Sequence, residues 1–300
     1  MRVLVLGTAM VDETMATSVF PHAGATVIAG PAGRDLGGKG ANQALVMRRA
    51  GLDVRLVAPV GGDAAGEWVA GELAGEGLDP ADLVPAEVPT DRSLIFVGPG
   101  GENAIASIVA AAECIDERLA RESVELLGAG DLLVMQGNLT LAATRAALEA
   151  ARAAGAATLL NPSPARPDIA SLVPLADCLI VNEGEARLLG GGDDALAAAE
   201  ALRTAGAGLV VVTLGARGAL ALDADGAVTV LAEPVTPVDT TGAGDVFTAV
   251  FAACRFGEAM PLAASLRAAG RAAALAVTRH GTRAAFPTRA EIAAIIGADR

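Results

Sequence analysis

The chain has 300 residues, a formal net charge of −13 at pH 7 and an isoelectric point of about 4.6. An acidic protein gains no counterion-release affinity for nucleic acid or for an anionic membrane surface, so we expect neither as a partner. Three cysteines without a CxxC pair give no disulfide framework, and every apolar stretch is interrupted before it reaches the roughly 20 residues of a membrane span. Without a recognisable signal peptide, the cytoplasm is the expected location.

Short β-rich apolar runs alternate with longer helical patterns along the chain. The strand candidates are residues 3–6, 54–59, 94–97, 132–135, 158–160, 178–181, 209–214, 219–222 and 228–231. The helix candidates are residues 41–50, 64–75, 116–127, 141–153, 194–205, 243–256, 262–278 and 289–296. This alternation predicts βαβ units and a mostly parallel sheet that is covered by helices on both faces.

Two stretches break the alternation. Residues 12–37 have no helical period, and residues 91–109 have a strand–turn–strand pattern around GPGGEN. Both are predicted to be hairpin-like inserts, and without a linker or repeat the chain is predicted to be a single domain over residues 1–300. Because ligands bind beyond the carboxyl ends of parallel strands, we expect the chemistry where strand candidates end in polar or glycine-rich sequence.

The motif VDTTGAGDVF, residues 238–247, places Gly242, Ala243 and Gly244 just before a helical pattern that begins near Asp245. A turn of small residues at a helix start presents free backbone N–H groups and the positive end of the helix dipole to an anion. An anion site beside a carboxylate fits phosphoryl transfer, with Asp245 as the base that accepts the proton of the attacking hydroxyl. The alternative is that Asp245 only caps the helix.

The motif LGGKGANQA, residues 36–44, combines glycines with polar side chains. Its glycines, including Gly38, allow the backbone to approach a ligand closely. Asn42 can both donate hydrogen bonds to a polyol and accept them. Lys39 is the only lysine among 22 basic residues, which favours a functional role for a compact positive charge over chance retention.

Two further motifs follow strand candidates. Asn182 and Glu185 place two oxygen donors one helical turn apart and could act on Mg²⁺ through its waters, although a helix start with favourable acidic residues explains them equally well. The segment TLGARG, residues 213–218, predicts only a tight turn by itself.

These motifs occur in one order, together with GTAMVD at 7–12, NPSPAR at 161–166 and AVTRHGT at 276–282, and they resemble the ribokinase family of carbohydrate kinases. The resemblance spans nearly the whole chain. It implies a three-layer α/β/α fold with a central, mostly parallel sheet of about nine strands. It also implies a small β lid, formed here by residues from about 12–37 and 91–109, which often pairs with a second lid to make a homodimer.

The resemblance implies roles for individual residues. Asp245 corresponds to the catalytic base, and the anion hole corresponds to Gly242, Ala243 and Gly244. The residues expected to contact the sugar are Met10, Asp12, Gly38, Lys39, Asn42, Asn138 and Asp245. The residues expected to contact the nucleotide are Asn182, Thr213, Gly215, Gly218 and Gly244.

The family also implies two cations, Mg²⁺ with ATP and K⁺ as a monovalent activator. Glu185 would serve Mg²⁺ through water. The monovalent-cation site corresponds to the Asp239 side chain and the carbonyl groups of Thr241, Ala276 and Gly281. Ala285 stands where relatives often have a serine ligand.

Two departures concern the substrate. Met10 stands where the family's ribose enzymes have asparagine, and Asn138 stands where a carboxylate is expected. The expected activity is ATP-dependent phosphorylation of D-ribose, 2-deoxy-D-ribose or both at the primary 5-hydroxyl. The alternatives are a kinase of another sugar, of a nucleoside or of a sugar phosphate, and more remotely a non-catalytic sugar-binding regulator. In a sugar-phosphate kinase, Arg92 could pair with the phosphate group of the substrate.

Overall fold

The structure is a computed structural model that describes residues 1–30, 32–99 and 102–299. Its strands are β1 (Arg2–Leu6), β2 (Met10–Ala16), β3 (Ala32–Gly37), β4 (Asp53–Val57), β5 (Pro59–Gly61), β6 (Val84–Ala86), β7 (Arg92–Val97), β8 (Asn103–Ile108), β9 (Leu132–Gln136), β10 (Ala157–Asn161), β11 (Cys178–Asn182), β12 (Leu209–Thr213), β13 (Ala219–Leu222) and β14 (Ala227–Val230). Its α-helices are α1 (Lys39–Arg49), α2 (Ala64–Gly75), α3 (Glu117–Val124), α4 (Leu141–Ala153), α5 (Glu183–Gly190), α6 (Ala195–Thr204), α7 (Ala243–Ala252), α8 (Leu262–Ala276) and α9 (Arg289–Asp299).

The central sheet has the strand order β14-β13-β12-β11-β10-β9-β1-β4. The strands from β12 to β4 are parallel, and β13 and β14 run antiparallel at one edge. This arrangement confirms the predicted mostly parallel sheet. It contains eight strands rather than the expected nine or so, because the strand candidate at 94–97 joins a different sheet.

Helices cover both faces of the central sheet. Along β1, Val3 and Val5 pack into one core with α1, α7 and α8, whereas Leu4 and Leu6 pack into a second core with α3, α4 and α6. Both faces of the parallel strands are therefore buried, which explains why the strands are continuously apolar in sequence. The three-layer α/β/α prediction is confirmed.

A second sheet has the order β3-β2-β7-β8 and lies within the stretches that break the helical alternation. Strands β2 and β7 are parallel, and β2–β3 and β7–β8 are antiparallel. Residues 100 and 101, where the insert 91–109 was predicted to turn, lie outside the described residues, as do residue 31 of the insert 12–37 and residue 300 of the predicted domain.

Strand β3 is attached to the body of the protein by two side chains. The Arg34 guanidinium lies over the ring of Trp68 on α2, 4.1 Å from the ring centroid. Asp35 forms an ion pair with Arg283 (3.4 Å), and Arg283 also pairs with Glu72 of α2. The second sheet is therefore joined both to α2 and to the segment that precedes α9.

Three details differ from the sequence prediction. Helix α5 was not among the helix candidates, and β5 and β6 form a small two-stranded sheet that was also unexpected. Helix α7 ends at Ala252 and continues as a π-helical turn over Ala253–Gly257, where a single helix to residue 256 was predicted. Among the described residues, no helix combines the length and the apolar character needed to cross a bilayer.

Candidate active site

A cleft of about 220 Å³ opens where the carboxyl ends of β10, β11 and β12 meet the amino-terminal end of α7. Its lining includes seven residues that the sequence assigned to the site: Lys39, Asn182, Glu185, Thr213, Gly242, Gly244 and Asp245. A larger cavity of about 350 Å³ lies at the opposite end of β1 and β4, lined in part by Arg2, Arg48 and Arg55. None of the motif residues lines that larger cavity, so the smaller cleft is the candidate active site.

The turn before α7 exposes backbone donors to this cleft. Gly242 has a φ of 75°, and a Cβ atom there would lie 2.6 Å from the ring of Phe286, so the turn has no room for a side chain. The N–H of Val246 is the first to donate within the helix, to the Gly242 carbonyl. Ala243, which was predicted to contribute to the anion hole, donates its N–H to the Thr240 carbonyl at 3.3 Å. The N–H groups of Gly244 and Asp245 have no backbone acceptor in the described chain, which leaves them available to an anion.

The Asp245 carboxyl is only 3% exposed and has donors on both oxygens. Asn42 Nδ2 donates to Oδ2 at 3.0 Å, and Gln43 Nε2 donates to Oδ1 at 3.0 Å. Lys39 Nζ lies 3.7 Å from Oδ1. A carboxylate can accept about four hydrogen bonds, so these contacts leave acceptor positions for a substrate hydroxyl.

Three amides next to Asp245 had no role in the sequence analysis. Gln43 Nε2 also donates to Asn161 Oδ1 (3.0 Å), and Gln136 Nε2 donates to Gln43 Oε1 (2.9 Å). Asn161 Nδ2 in turn donates to the Ile180 carbonyl (2.9 Å). Gln43 is within the motif LGGKGANQA, and Gln136 and Asn161 are the last residues of β9 and β10. These positions are the only features of the sequence that could have pointed to a role for the three residues in the site.

Met10 and Asp12 lie on one face of β2, a strand of the second sheet. Met10 is 5% exposed, and the Ser93 hydroxyl donates to its Sδ atom at 3.3 Å. Ser93 Oγ also lies 2.9 Å from Ser107 Oγ. Burial raises the pKa of Asp12 to about 6, helped by the charges of Asp35 and Asp245, although the Ser93 hydrogen bond opposes the shift.

Glycines allow the chain to pass between these side chains. A Cβ atom at Gly37 would lie 2.2 Å from the Asp12 carboxyl carbon. Gly38 has a φ of 95°, and a Cβ atom there would lie 2.5 Å from the Thr8 carbonyl oxygen. The two glycines thus bring Lys39 and Asn42, at the start of α1, close to β2.

Arg92 is on the opposite face of the second sheet from Met10 and Asp12. It pairs with Val11 in the β2–β7 register, whereas Ser93 pairs with Asp12. Because successive strand residues point to opposite faces, the Arg92 side chain is directed away from these candidate sugar contacts.

Asn182 and Glu185 form a capping box at the start of α5. Asn182 Oδ1 accepts from the Glu185 N–H at 2.9 Å, and Glu185 Oε2 accepts from the Asn182 N–H at 2.9 Å. The helix-start interpretation therefore describes their contacts in this structure. In the described part of the chain, Glu185 Oε1 has no hydrogen-bond partner and is free to bind a hydrated cation.

The neighbouring turn follows β12. Thr213 Oγ1 donates to the Val181 carbonyl at 3.4 Å. Gly215 has a φ of 58° and Gly218 a φ of 100°, and a Cβ atom at Gly218 would lie 2.0 Å from the Val230 carbonyl oxygen. Of the predicted nucleotide contacts Thr213, Gly215 and Gly218, only Thr213 lines the cleft.

Asn138 lies just after β9, outside the residues that line the cleft. Its Oδ1 atom is buried and has no hydrogen-bond partner among the described residues. The adjacent Gly137 carbonyl accepts from Arg166 Nη1 at 2.9 Å. Asn138 is therefore the one predicted sugar contact with an unsatisfied buried acceptor.

The residues proposed for the monovalent cation lie in two connected loops. The Asp239 carboxylate accepts from the N–H groups of Thr241 (2.9 Å) and Gly281 (3.0 Å). Burial acts to raise the pKa of Asp239, but these backbone hydrogen bonds outweigh it and hold the pKa below its ordinary value. Ala276 ends α8, and Ala285 is buried and has no side-chain oxygen to offer.

No group of three or more His, Cys, Asp or Glu side chains within residues 1–30, 32–99 and 102–299 is placed to hold a metal ion. The oxygen donors of Asn182 and Glu185 nevertheless suit Mg²⁺, which usually keeps several waters and binds through one or two carboxylates together with substrate phosphates.

Comparison with known proteins agrees with this geometry. The family model described as pfkB family carbohydrate kinase matches residues 1–289. The chain is 30% identical to a ribokinase of Haemophilus influenzae over 293 residues (96% of this chain and 95% of the relative), and 31% identical to a deoxyribokinase of Salmonella typhi over 297 residues (96% of each). The crystal structure of a Thermotoga maritima ribokinase superposes with a TM-score of 0.89 at 27% identity, covering 98% of this chain and 99% of that one.

Proposed function

Since this chain belongs to the pfkB family of carbohydrate kinases and is an ATP-dependent sugar kinase, we propose that it phosphorylates D-ribose, 2-deoxy-D-ribose or both at the primary 5-hydroxyl. The observation that carries the proposal is the position of Asp245. Its carboxylate shares one cleft with Asn182 and Thr213, the proposed nucleotide contacts, and is contacted by Lys39 and Asn42, the proposed sugar contacts.

In this mechanism Asp245 accepts the proton of the 5-hydroxyl as its oxygen attacks the γ-phosphorus of ATP. The N–H groups of Gly244 and Asp245 stabilise the charge on the phosphoryl group in transit. Lys39 adds a positive charge beside the Asp245 carboxylate, with its Nζ atom 3.7 Å from Oδ1. ATP acts together with a divalent metal such as Mg²⁺, which neutralises phosphate charge when bound and which Glu185 would hold through water.

A monovalent cation such as K⁺ is part of the same proposal. Asp239 ties the loop before α7 to the loop after α8 through Thr241 and Gly281, so a cation bound there would order the turn that contains Gly242. Ala285 supplies no ligand atom from its side chain. We expect K⁺ to raise activity by acting on that turn.

The sugar-phosphate alternative loses support from the position of Arg92, which points away from Met10 and Asp12. A screen of ADP release over ribose, 2-deoxyribose, fructose, nucleosides and sugar phosphates, with ³¹P NMR of the product, tests the class of substrate. Turnover with a pentose to give a 5-phosphate supports the proposal. Turnover confined to another class, or no turnover, overturns it.

Met10 favours tolerance of 2-deoxyribose. An asparagine at this position rewards the sugar hydroxyl next to the anomeric carbon and is left unpaired without it. Methionine makes no such demand, and its Sδ atom already accepts a hydrogen bond from Ser93. Apolar pockets reject an added hydroxyl by only about 10²-fold at most, so ribose remains a substrate while its advantage shrinks or reverses.

The measurement is kcat/KM for 2-deoxyribose divided by that for ribose. We expect a ratio near or above one in the native enzyme and a fall of at least about 10-fold in Met10→Asn. Met10→Leu is the matched control, because it keeps an apolar side chain of similar volume and should leave the ratio within a few-fold of the native value. A native ratio far below one that Met10→Asn does not move would contradict this part of the proposal.

The proposed assembly is a homodimer formed through the second sheet. Strand β8 is at the edge of that sheet, and its Ile105 and Ile108 side chains are 55% and 51% exposed. An unpaired edge with exposed apolar side chains is suited to pairing with another copy. The proposed location is the cytoplasm, where ATP is available.

A further inference from the structure

Gln43 and Gln136 are the only glutamines in the 300-residue chain, and they are hydrogen-bonded to each other beside Asp245. Gln43 has no exposed surface and Gln136 has 1%. Burying an amide is unfavourable unless its donors and acceptor are satisfied. Two glutamines in the core of an alanine-rich protein are therefore placed for a specific set of hydrogen bonds.

The direction of each hydrogen bond is fixed by its neighbours. The Ile180 carbonyl can only accept, so it orients Asn161 with Nδ2 toward Ile180 and Oδ1 toward Gln43. Gln43 Nε2 then donates both its hydrogens, one to Asn161 Oδ1 and one to Asp245 Oδ1, each at 3.0 Å. Gln43 Oε1 accepts from Gln136 Nε2 at 2.9 Å.

From this arrangement we propose that Gln43 is a positioning residue for the catalytic base, and that Gln136 acts through Gln43 by holding its amide in the donating orientation. In the reversed orientation, Gln43 Oε1 would face the oxygens of both Asp245 and Asn161 at about 3.0 Å, two contacts between acceptors. The proposal rests on the proposed function to the extent that Asp245 is the base.

Gln43 and Asn42 fix different oxygens of the same carboxylate. Gln43 holds Oδ1 and Asn42 holds Oδ2, so together they set the plane of the Asp245 carboxylate. Without the Gln43 hydrogen bond, Oδ1 keeps only the Lys39 Nζ contact at 3.7 Å, so the carboxylate can rotate about its hydrogen bond to Asn42. A misplacement of about 1 Å in a reacting group is enough to cost about 10²-fold in rate.

Gln136 uses only one half of its amide. Its Oε1 atom has no hydrogen-bond partner among the described residues, and a Cβ atom at Gly7 would lie 2.0 Å from it. Only the Nε2 donor is therefore engaged, and it is directed at Gln43. When its side chain is ionised, Gln136→Glu replaces this donor with an acceptor at nearly constant volume, which should turn the Gln43 amide over without any direct contact with Asp245. When it is protonated it can still donate to Gln43 Oε1, so the effect of this variant should grow as the pH rises.

The experiment measures kcat, KM for ATP and for the sugar, the pH–rate profile and Tm for Gln43→Met and Gln136→Glu. We expect kcat to fall about 10- to 100-fold in both variants, with each KM within a few-fold of the native value. The acidic limb of the kcat profile should move to higher pH, because the ionised carboxylate has lost a donor that favours it.

Gln43→Glu provides a second test and a safeguard if Gln43→Met folds poorly. A protonated glutamic acid can donate to Asp245, whereas an ionised one repels it, so activity should recover as the pH falls. Ser265→Ala is the control for loss of a buried hydrogen bond elsewhere, since Ser265 lies on α8 and is fully buried. It should lower Tm without changing the shape of the pH–rate profile.

Native kcat and an unmoved pH profile in both Gln43→Met and Gln136→Glu would overturn the inference. Asp245→Asn distinguishes failure of the positioning role from failure of the proposed base. If Asp245→Asn is inactive and the glutamine variants behave as native, only the positioning role fails. If Asp245→Asn retains native kcat, the proposed base itself is wrong.

Discussion

Asp245 is held on both carboxylate oxygens and still has acceptor positions to spare. Asp245→Asn keeps the shape of the side chain but removes the proton acceptor, so we expect kcat to fall by about 10²–10⁴-fold. ATP affinity should remain within a few-fold, because the backbone donors of the turn are unchanged. Steady-state kinetics and calorimetric ATP titration measure the two effects, and a comparable loss of both would instead indicate that the turn has collapsed.

The sequence located Asp245, Lys39 and Asn42 because each belongs to a motif whose chemistry is readable locally. It did not assign roles to Gln136 and Asn161. Gln43 is separated from them by 93 and 118 positions in sequence. Hydrogen bonds over such distances depend on which strands are neighbours in the folded sheet, and no local pattern encodes them.

At the scale of elements, the turn before α7 requires glycine at position 242 for two reasons, its φ of 75° and the Phe286 ring 2.6 Å from a potential Cβ atom. Gly242→Ala must displace either the ring or the turn, so we expect kcat to fall at least about 10-fold, together with a loss of stability of more than about 1 kcal/mol. Kinetics and thermal unfolding measure the two effects.

Gly51→Ala separates the effect of the positive φ from the effect of the contact with Phe286. Gly51 also has a positive φ, 93°, but no atom lies within 4 Å of a Cβ atom there. It should lose about 1 kcal/mol of stability and retain native kcat. Equal kinetic effects in the two variants would show that the Phe286 contact has no part in shaping the turn.

Strands and helices with a clear hydrophobic pattern could be predicted from the sequence, whereas elements that form only by pairing or packing with distant segments could not. Strands of the central sheet are apolar throughout because both of their faces are buried. Helix α5 has only eight residues and starts in an acidic segment, so the capping box that begins it looked equally like a cation site. Strand β2, with the sequence MVDETMA, has little β-type patterning and is set by pairing with β3 and β7.

At the scale of the whole molecule, Asp12 couples the substrate site to stability. Its pKa is about 6 in the folded protein and 3.8 for the free side chain, so the folded state binds this proton more tightly. The stability that the protonated group contributes is fully present below about pH 4 and is lost as the pH rises through 6. In the ligand-free protein at pH 8, the ionised Asp12 is therefore destabilising.

Asp12→Asn should raise Tm at pH 8, and the difference from the native protein should shrink toward pH 4. Allowing for partial exposure of the site, the effect at pH 8 is about 1–2 kcal/mol, or a few degrees. Unfolding scans at both pH values measure it, with Glu13→Gln on the same strand as the control. A stabilisation of the same size at both pH values would show that charge burial is not its cause. Sugar turnover should fall in the same variant, because the carboxylate is an expected sugar contact.

The attachment of β3 to α2 gives the protein an optical property. Trp68 is the only tryptophan in the chain, and there is no tyrosine, so near-ultraviolet fluorescence comes almost entirely from one indole. Arg34 places a positive charge 4.1 Å from the centroid of that ring. The emission wavelength of an indole depends on the local electric field and on contact with water. Any displacement of β3 that lifts Arg34 from Trp68 will therefore change the emission spectrum, and the unlabelled protein reports on the junction between its second sheet and its body.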